Sequence, residues 1–376
     1  MKNLIFWKTF LFAPVLFLGA MADPGLPADT APAPDGYNLL SPISHGDLTI
    51  FPVVSAKSHD TSGFITLDEG IRSGDVVVTE VGAVPGMIRR RRPLPPQYLR
   101  GAEVNRLVLV NNSKRPLILL AGEVVTGGKQ DRVVAKDRIV PAESDPVDLS
   151  VFCVEPGRWV ASSTKFDTHA SVMAQPSVRK RAMVDANQQK VWDEVASARS
   201  AFAMRAAPSP SVNGHEQVLT GGGPVELNST TSYAKTIENS AVKQQMDSIT
   251  GPMQKSYESV IQQLRNQNAV GVVVAVKGRI VWADIFASNA LLGKYWPKLL
   301  ESYAAESLTA SGSSGDASMK DAYHFLNNWE ARHESGDSEP GLYRQRELVG
   351  DRFRAFELTS LLAGTNFDVH LSKMAE

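Results

Sequence analysis

In LLAGEVVTGGKQDR, residues 119–132, an apolar run ends in Glu123, a pair of glycines and then Lys129, Gln130 and Arg132. Gly122, Gly127 and Gly128 permit positive φ or a close approach of backbone to a second group. Amides freed by a glycine turn, joined by ammonium, amide and guanidinium donors, make a cradle for phosphate or carboxylate. This is not a nucleotide P-loop, which needs four residues between its glycines and a Lys-Ser/Thr pair for magnesium. The plainer alternative is a hairpin whose polar tip is merely hydrated.

A second passage, FCVEPGRW at residues 152–159, also runs from an apolar stretch into a polar turn. Cysteine followed by arginine in a loop suits phosphatases in which a thiolate attacks phosphorus and the arginine holds the oxygens. That chemistry needs five intervening residues; here there are four, and Glu155 and Pro156 stand where amide donors would be wanted. Cys153 therefore reads as a small buried residue. Glu155 and Arg158 are the better site candidates, or an ion pair that orders the turn.

Glu80, Glu123 and Glu155 each close an apolar run, and residues where strands pass into loops are well placed to carry chemistry. If those strands are neighbours, the carboxylates converge near Lys129, Arg132 and Arg158, a grouping suited to general acid–base work or to a cation. On this reading Glu123 and Glu155 are the catalytic candidates, and Lys129, Gln130, Arg132, Arg158 and Trp159 hold the ligand. The sequence Asp167-Thr168-His169 offers an acid–histidine pairing, although a lone histidine near a loop is more often structural. His45, His59 and His215 lack ligand spacing, and the familiar zinc-protease, α/β-hydrolase and calcium-loop patterns are absent. No metal site is expected, and no cofactor is specified.

The elements that must position these residues are legible as texture. LTIFPVV, FITL, VVVTEV, RLVLVNN, PLILLAGEVV, RIVPA and VDLSVFCVE are strand-length runs rich in Val, Ile, Leu and Thr. One helix, residues 67–73, interrupts them, and residues 108–125 are expected to form two adjacent strands joined by the turn NNSKRP. The arginine-rich stretch MIRRRRPLPPQYLRG, residues 87–101, reads as a solvated loop. Helical spacing follows at residues 178–204 and again at 234–266, where Gly251-Pro252 is expected to start a new helix. Between them, residues 205–232 lose apolar periodicity and read as a mobile loop. VGVVVAVKGRIVWADIF is expected to be a hairpin turning at Lys277-Gly278. Helices at 291–307 and 321–333 come next, then LYRQRELV and RFRAFELTSL as exposed strands. The fold class is thus α+β: a β-rich N-terminal half packed with helices and a second short β unit from the C-terminal half.

The first 22 residues differ from the rest. Lys2 and Lys8 flank the apolar run 9–19, which ends in Ala20-Met21-Ala22, a small-x-small cleavage signal. We expect a signal peptide at residues 1–22, a flexible Pro/Ala-rich segment at 23–38 and one integrated domain at 39–372. The apolar run is short for a bilayer span, so the processed chain is expected to have no integral membrane segment and to be exported, periplasmic or secreted. Its charge after cleavage is close to neutral, which excludes a bulk electrostatic grip on nucleic acid. The single cysteine excludes an internal disulfide and a multi-cysteine zinc site.

GEVVTGGKQDR at residues 122–132, CVEPGRW at 153–159 and the later QKVW at 189–192 together resemble the domain named for its association with ADP-ribosylglycohydrolases and the rhodanese-phosphatase superfamily. The resemblance extends through residues 270–286 to Val369-His370 and covers residues 39–372. It implies a setting in nucleotide, NAD or ADP-ribose metabolism without fixing a reaction, and the expected export signal would set this chain apart from the cytoplasmic pools of those molecules. Two functions are carried forward. One is binding, with possible hydrolysis, of a small anionic ligand such as a nucleotide, an ADP-ribose-like molecule or a sugar phosphate. The other is a non-catalytic, envelope-associated binding or scaffold protein whose polar motifs are internal ion pairs.

Overall fold

Seven apolar runs rich in β-formers precede residue 156, and each of them contains a strand. The structure, a computed structural model, describes residues 36–83, 106–168, 172–206, 227 and 229–376. The expected signal segment, the arginine-rich stretch 87–101, His169, His215 and most of residues 205–232 lie outside them. The described residues belong to one compact unit, Pro32–Glu376.

Six short strands close a barrel: Val147–Cys153, Arg106–Asn111, Val76–Thr79, Phe166–Asp167, Val124–Gly127 and Arg132–Val134. Alternate side chains, among them Val78, Leu107, Leu109, Val125, Leu149 and Phe166, fill its interior. Val124 and Val133 join a second, larger core instead. Burial on both faces explains why these segments read as continuous apolar runs.

The expected pairing within residues 108–125 is corrected. Arg106–Asn111 stays in the barrel, between Val76–Thr79 and Val147–Cys153. Leu117–Leu119 lies in a separate three-stranded sheet with Ile65–Thr66 and Arg138–Val140. The cause is Asn111, wholly buried, whose side-chain amide donates to Arg115 O at 2.8 Å and Pro141 O at 3.0 Å while its oxygen accepts from Ser113. That arrangement turns the chain out of the barrel. The helix Leu67–Arg72 begins at a capping box between Thr66 and Glu69.

The second sheet has nine antiparallel strands. Its main order is Asn38–Leu39, Leu48–Ser55, Asn268–Val276, Arg279–Phe286, Asp368–Ala375, Phe353–Ser360, Tyr343–Val349 and His333–Glu339, with Ile43–His45 also paired to Leu48–Ser55. The Lys277-Gly278 hairpin is as expected: both residues have positive φ, +52° and +79°, as a two-residue type I′ turn requires. The C-terminal half supplies six of the nine strands, so its β unit is larger than a hairpin with two exposed additions. Phe353–Ser360, expected to be exposed, is almost wholly buried. Phe353 and Ala355 pack with Phe325 and Trp329, while Phe356 and Leu358 enter the large core.

Helices depart from expectation where packing outweighs local preference. Residues 178–204 are not one helix: Pro176–Lys180 runs into a π turn, Arg181–Asp185, the chain breaks at Ala186 (φ +45°), and Gln188–Ala206 follows. Conversely, Ser240–Ile261 passes straight through Pro252. An interior proline costs about 3 kcal/mol, but Val242, Met246, Ile249, Met253 and Tyr257 form one buried stripe across it. The helix expected at 321–333 ends at Asn327 and is followed by the strand from His333. Asn289–Thr309 contributes Leu292, Tyr295, Leu299 and Tyr303 to the large core, opposite Val274, Trp282 and Met374 of the sheet.

A polar network crosses this core. Arg179 donates to both oxygens of Asp284, at 2.8 and 3.0 Å, and Tyr303 donates to Asp284 as well. The His370 ring bridges Asp284 Oδ1 at 3.1 Å and Asp137 Oδ2 at 2.6 Å. Asp137 in turn accepts the Ala121 amide at 2.7 Å, tying the glutamate–glycine segment to the sheet. Burial by itself would depress the pKa of His370, but the two carboxylates prevail and push it up to about 9. A folded-state pKa above the usual 6.5 stabilises fully below 6.5, and this stabilisation is lost as pH rises through about 9. Urea denaturation should therefore show stability falling between these values by on the order of 3 kcal/mol, at 1.36 kcal/mol per pKa unit. The His370→Gln variant should lack that slope.

Candidate functional site

The motif that begins at Gly122 folds as a tight hairpin: Val124–Gly127 pairs with Arg132–Val134, Val125 opposite Arg132. Gly128 has φ +48°, and a Cβ there would enter the Phe166 ring and come within 2.7 Å of the Glu80 carboxylate. The glycine is thus required both by backbone conformation and by space. Glu80 accepts the Lys129 amide at 3.0 Å, so the first of the three strand-end carboxylates does reach the turn.

Asp131, which sequence reasoning passed over, is the hub. Its carboxylate accepts the Gly127 amide at 3.1 Å, the Ser232 hydroxyl at 2.6 Å and Arg158 at 3.4 Å. Its own amide donates to Glu155 Oε2 at 3.1 Å. Burial raises the pKa of Asp131, with the Ser232 hydroxyl acting against the rise. Arg158 donates to Glu155 Oε2 at 2.5 Å, to Gly128 O and Val160 O at 2.9 and 2.8 Å, and to Gly127 O at 3.3 Å. The Gln130 side-chain amide donates to Glu155 O at 3.1 Å. Glu155, Arg158 and Gln130 therefore lock the two motifs together, and Glu155 with Arg158 forms the ion pair that their spacing offered as an alternative.

The other candidates divide. Arg132 is fully buried, and desolvation draws its pKa down despite Glu80 and Asp131 nearby. The Lys129 ammonium lies 4.8 Å above the Trp159 ring, which is 42% exposed, and Arg132 approaches the same ring at 5.9 Å. Glu123 does not join this turn through any such contact. It is 1% exposed, accepts the Leu120 amide at 2.7 Å, and meets Lys298 at 2.5 Å; Lys298 also holds Asp68 at 2.8 Å. Burial raises the pKa of Glu123, while two carboxylates outweigh burial at Lys298 and raise its pKa also. The expected convergence of three glutamates is thereby corrected: Glu80 and Glu155 reach the turn, and Glu123 turns to the helix Asn289–Thr309, where buried Lys298 meets it.

Gly122 has its own reason. It has φ +96°, and a Cβ there would lie 2.7 Å from the Arg179 side chain on its way to Asp284. Cys153 is buried and its thiol pKa is raised by burial, in keeping with a packing role. The backbone of Cys153 is held at both ends by Gln188, whose side chain accepts from its amide at 2.9 Å and donates to its carbonyl at 2.8 Å. Gln189, singled out from sequence, pairs with Asp193 on the surface instead.

Beside the turn lies a cleft of about 600 Å³. Ile71, Val76, Val77 and Phe166 give it an apolar wall; Ser162, Ser163, Lys165 and Lys235 line its polar side, with Arg158 and Asp131 at the turn. Lys165 and Lys235 have no carboxylate partner within salt-bridge distance among the described residues. Of the residues proposed from sequence to hold a ligand, only Arg158 lines this cleft. Lys235 was hidden because it comes from the short helix Tyr233–Glu238, brought in by the Ser232–Asp131 bond and by the Tyr233 amide donating to Val154 O at 2.9 Å. Lys165 stands beside Asp167 in sequence, yet only the barrel's closure by Phe166–Asp167 puts it at the cleft. No cluster of metal-ligating side chains occurs among the described residues.

The ARG and Rhodanese-Phosphatase-superfamily-associated Protein domain matches residues 36–374, both motifs and all but the last residue of the nine-stranded sheet included. The chain belongs to this family. No curated protein and no solved structure matches it. In this ARPP-1 domain the glycine motif and the CVEPGRW motif are two sides of one hydrogen-bonded turn, and the domain runs from the first sheet strand almost to the end of the last. No helix among its described residues is long and apolar enough to cross a membrane.

Proposed function

We propose that the protein binds a small anionic molecule in the cleft beside the Asp131–Arg158 turn. The supporting observation is that two lysines, Lys165 and Lys235, line one cleft together with apolar Ile71, Val76 and Phe166. Lysines without carboxylate partners among the described residues are available to an external anion, and charge-assisted hydrogen bonds are the strong ones. The apolar wall suits the body of a ligand such as a nucleotide or sugar phosphate. Glu155, Gln130 and Arg158 hold the wall, and Glu123 supports the fold behind it. Binding rather than hydrolysis is proposed, because Asp131 is already engaged by Gly127, Ser232 and Arg158. The leader-like sequence of residues 1–22 supports export, and with it a ligand met outside the cytoplasm.

Thermal denaturation against a panel of inorganic phosphate, sugar phosphates and nucleotides should find at least one stabilising anion. Lys165→Ala and Lys235→Ala should each weaken that anion's Kd about tenfold or more, from about 1.5–3 kcal/mol per charged hydrogen bond, without altering the melting temperature of the free protein. A second reading, a non-catalytic scaffold, is favoured by the closed pairing of Glu155, Asp131 and Arg158. Melting temperatures unmoved by every anion would leave that reading in place of the first.

A further inference from the structure

The nine-stranded sheet ends on one side in a two-residue strand, Asn38–Leu39, and on the other in a seven-residue strand, His333–Glu339. Every residue of the latter is exposed, and it pairs with Tyr343–Val349 along its full length without a register shift. Its outer edge has no strand neighbour among the described residues. A long, regular edge presents unpaired amides and carbonyls to any second strand, and proteins usually blunt such edges with charged side chains, proline or a bulge. HESGDSE has neither proline nor a bulge, and each of its three carboxylates is paired at the surface with a cation of the same chain: Asp337 with Lys136 at 2.8 Å, Glu339 with Arg138 at 3.3 Å and Glu334 with Arg346 at 3.1 Å.

The sequence of this strand is complementary to itself. When two copies run antiparallel about Gly336, His333 stands opposite the partner subunit's Glu339, Glu334 opposite the partner subunit's Ser338, and Ser335 opposite the partner subunit's Asp337. No like charges stand directly opposite one another, and glycine meets glycine at the axis. A twofold contact of this kind uses the same patch on both subunits. We propose that two copies of this chain associate through His333–Glu339, joining their sheets into one continuous antiparallel sheet.

Sedimentation velocity over a range of concentrations should show the mature chain in monomer–dimer equilibrium. His333→Glu sets two glutamates opposite one another at both ends of the contact and should shift the chain to monomer, with at least a tenfold weaker dimer. Exchanging the two residues, His333→Glu together with Glu339→His, should restore the dimer, which a merely structural effect would not do. In the wild type, hydrogen exchange in residues 333–339 should slow as concentration rises. A chain that is monomeric at every concentration, with exchange there independent of concentration, overturns the proposal; so does a dimer indifferent to His333→Glu. A monomer whose edge amides exchange slowly also overturns it, since another part of the same chain would then cover the edge.

Discussion

Arg179→Ala should destabilise the protein by about 3–5 kcal/mol, the usual cost of removing one partner from a buried ion pair. Arg179 and Asp284 are both wholly inaccessible, and the guanidinium makes two hydrogen bonds to the carboxylate. Desolvation opposes the charge on Arg179, but Asp284 outweighs it and raises the arginine's pKa; Arg179 and His370 likewise hold Asp284 well below the carboxylate range against its own burial. Truncation would leave Asp284 with only His370 and Tyr303, remove the cation 4.4 Å from the Trp282 ring, and open space over Gly122. Urea denaturation of Arg179→Ala, Asp284→Ala and the double variant would separate the pair from its surroundings. The double variant should lose less than the sum of the singles. A single-variant loss below about 1 kcal/mol, the ordinary value for an exposed pair, would contradict this account.

Lys298→Met should have the second largest effect, about 3 kcal/mol or more at neutral pH. Its ammonium is buried between Glu123 and Asp68 and lies 4.7 Å from the Tyr295 ring. Methionine keeps much of the side chain's length and apolar stem, so the loss isolates the charge. Glu123 already has a pKa raised above its usual 4.5 by burial; without Lys298 the rise would be greater. A folded-state pKa that is raised favours the protonated form, so the carboxyl contributes most below its unfolded pKa and its contribution is lost as pH rises. The deficit of Lys298→Met relative to wild type should therefore shrink as pH is lowered towards 4.5 and be full at pH 7. A deficit independent of pH would show that Glu123 is not the group left uncompensated.

These two residues mark the boundary of what could be read from the chain. The β-rich N-terminal half, the Lys277-Gly278 hairpin and the two polar turns follow from local rules: alternation, β-branched composition and glycine where φ must be positive. Such signals lie within a few residues of one another and survive without knowledge of the partner strand. Glu155 and Arg158 are three apart, and their pairing was accordingly foreseen as one alternative.

What sequence alone determined, then, is the class of fold, the family and the two turns that carry its motifs. Only tertiary structure decided that Glu123 pairs with a lysine 175 positions away, and that the late His370 joins Asp137 and Asp284 in one buried network. It alone brought Lys165 and Lys235 to one cleft. Hydrogen bonds and ion pairs have steep distance and angle requirements but no sequence period, so two residues that satisfy them can come from any separation along the chain. The strand pairings that bring them together are set by closure of the barrel and by burial of both faces of the sheet, and no stretch of the chain encodes those by itself.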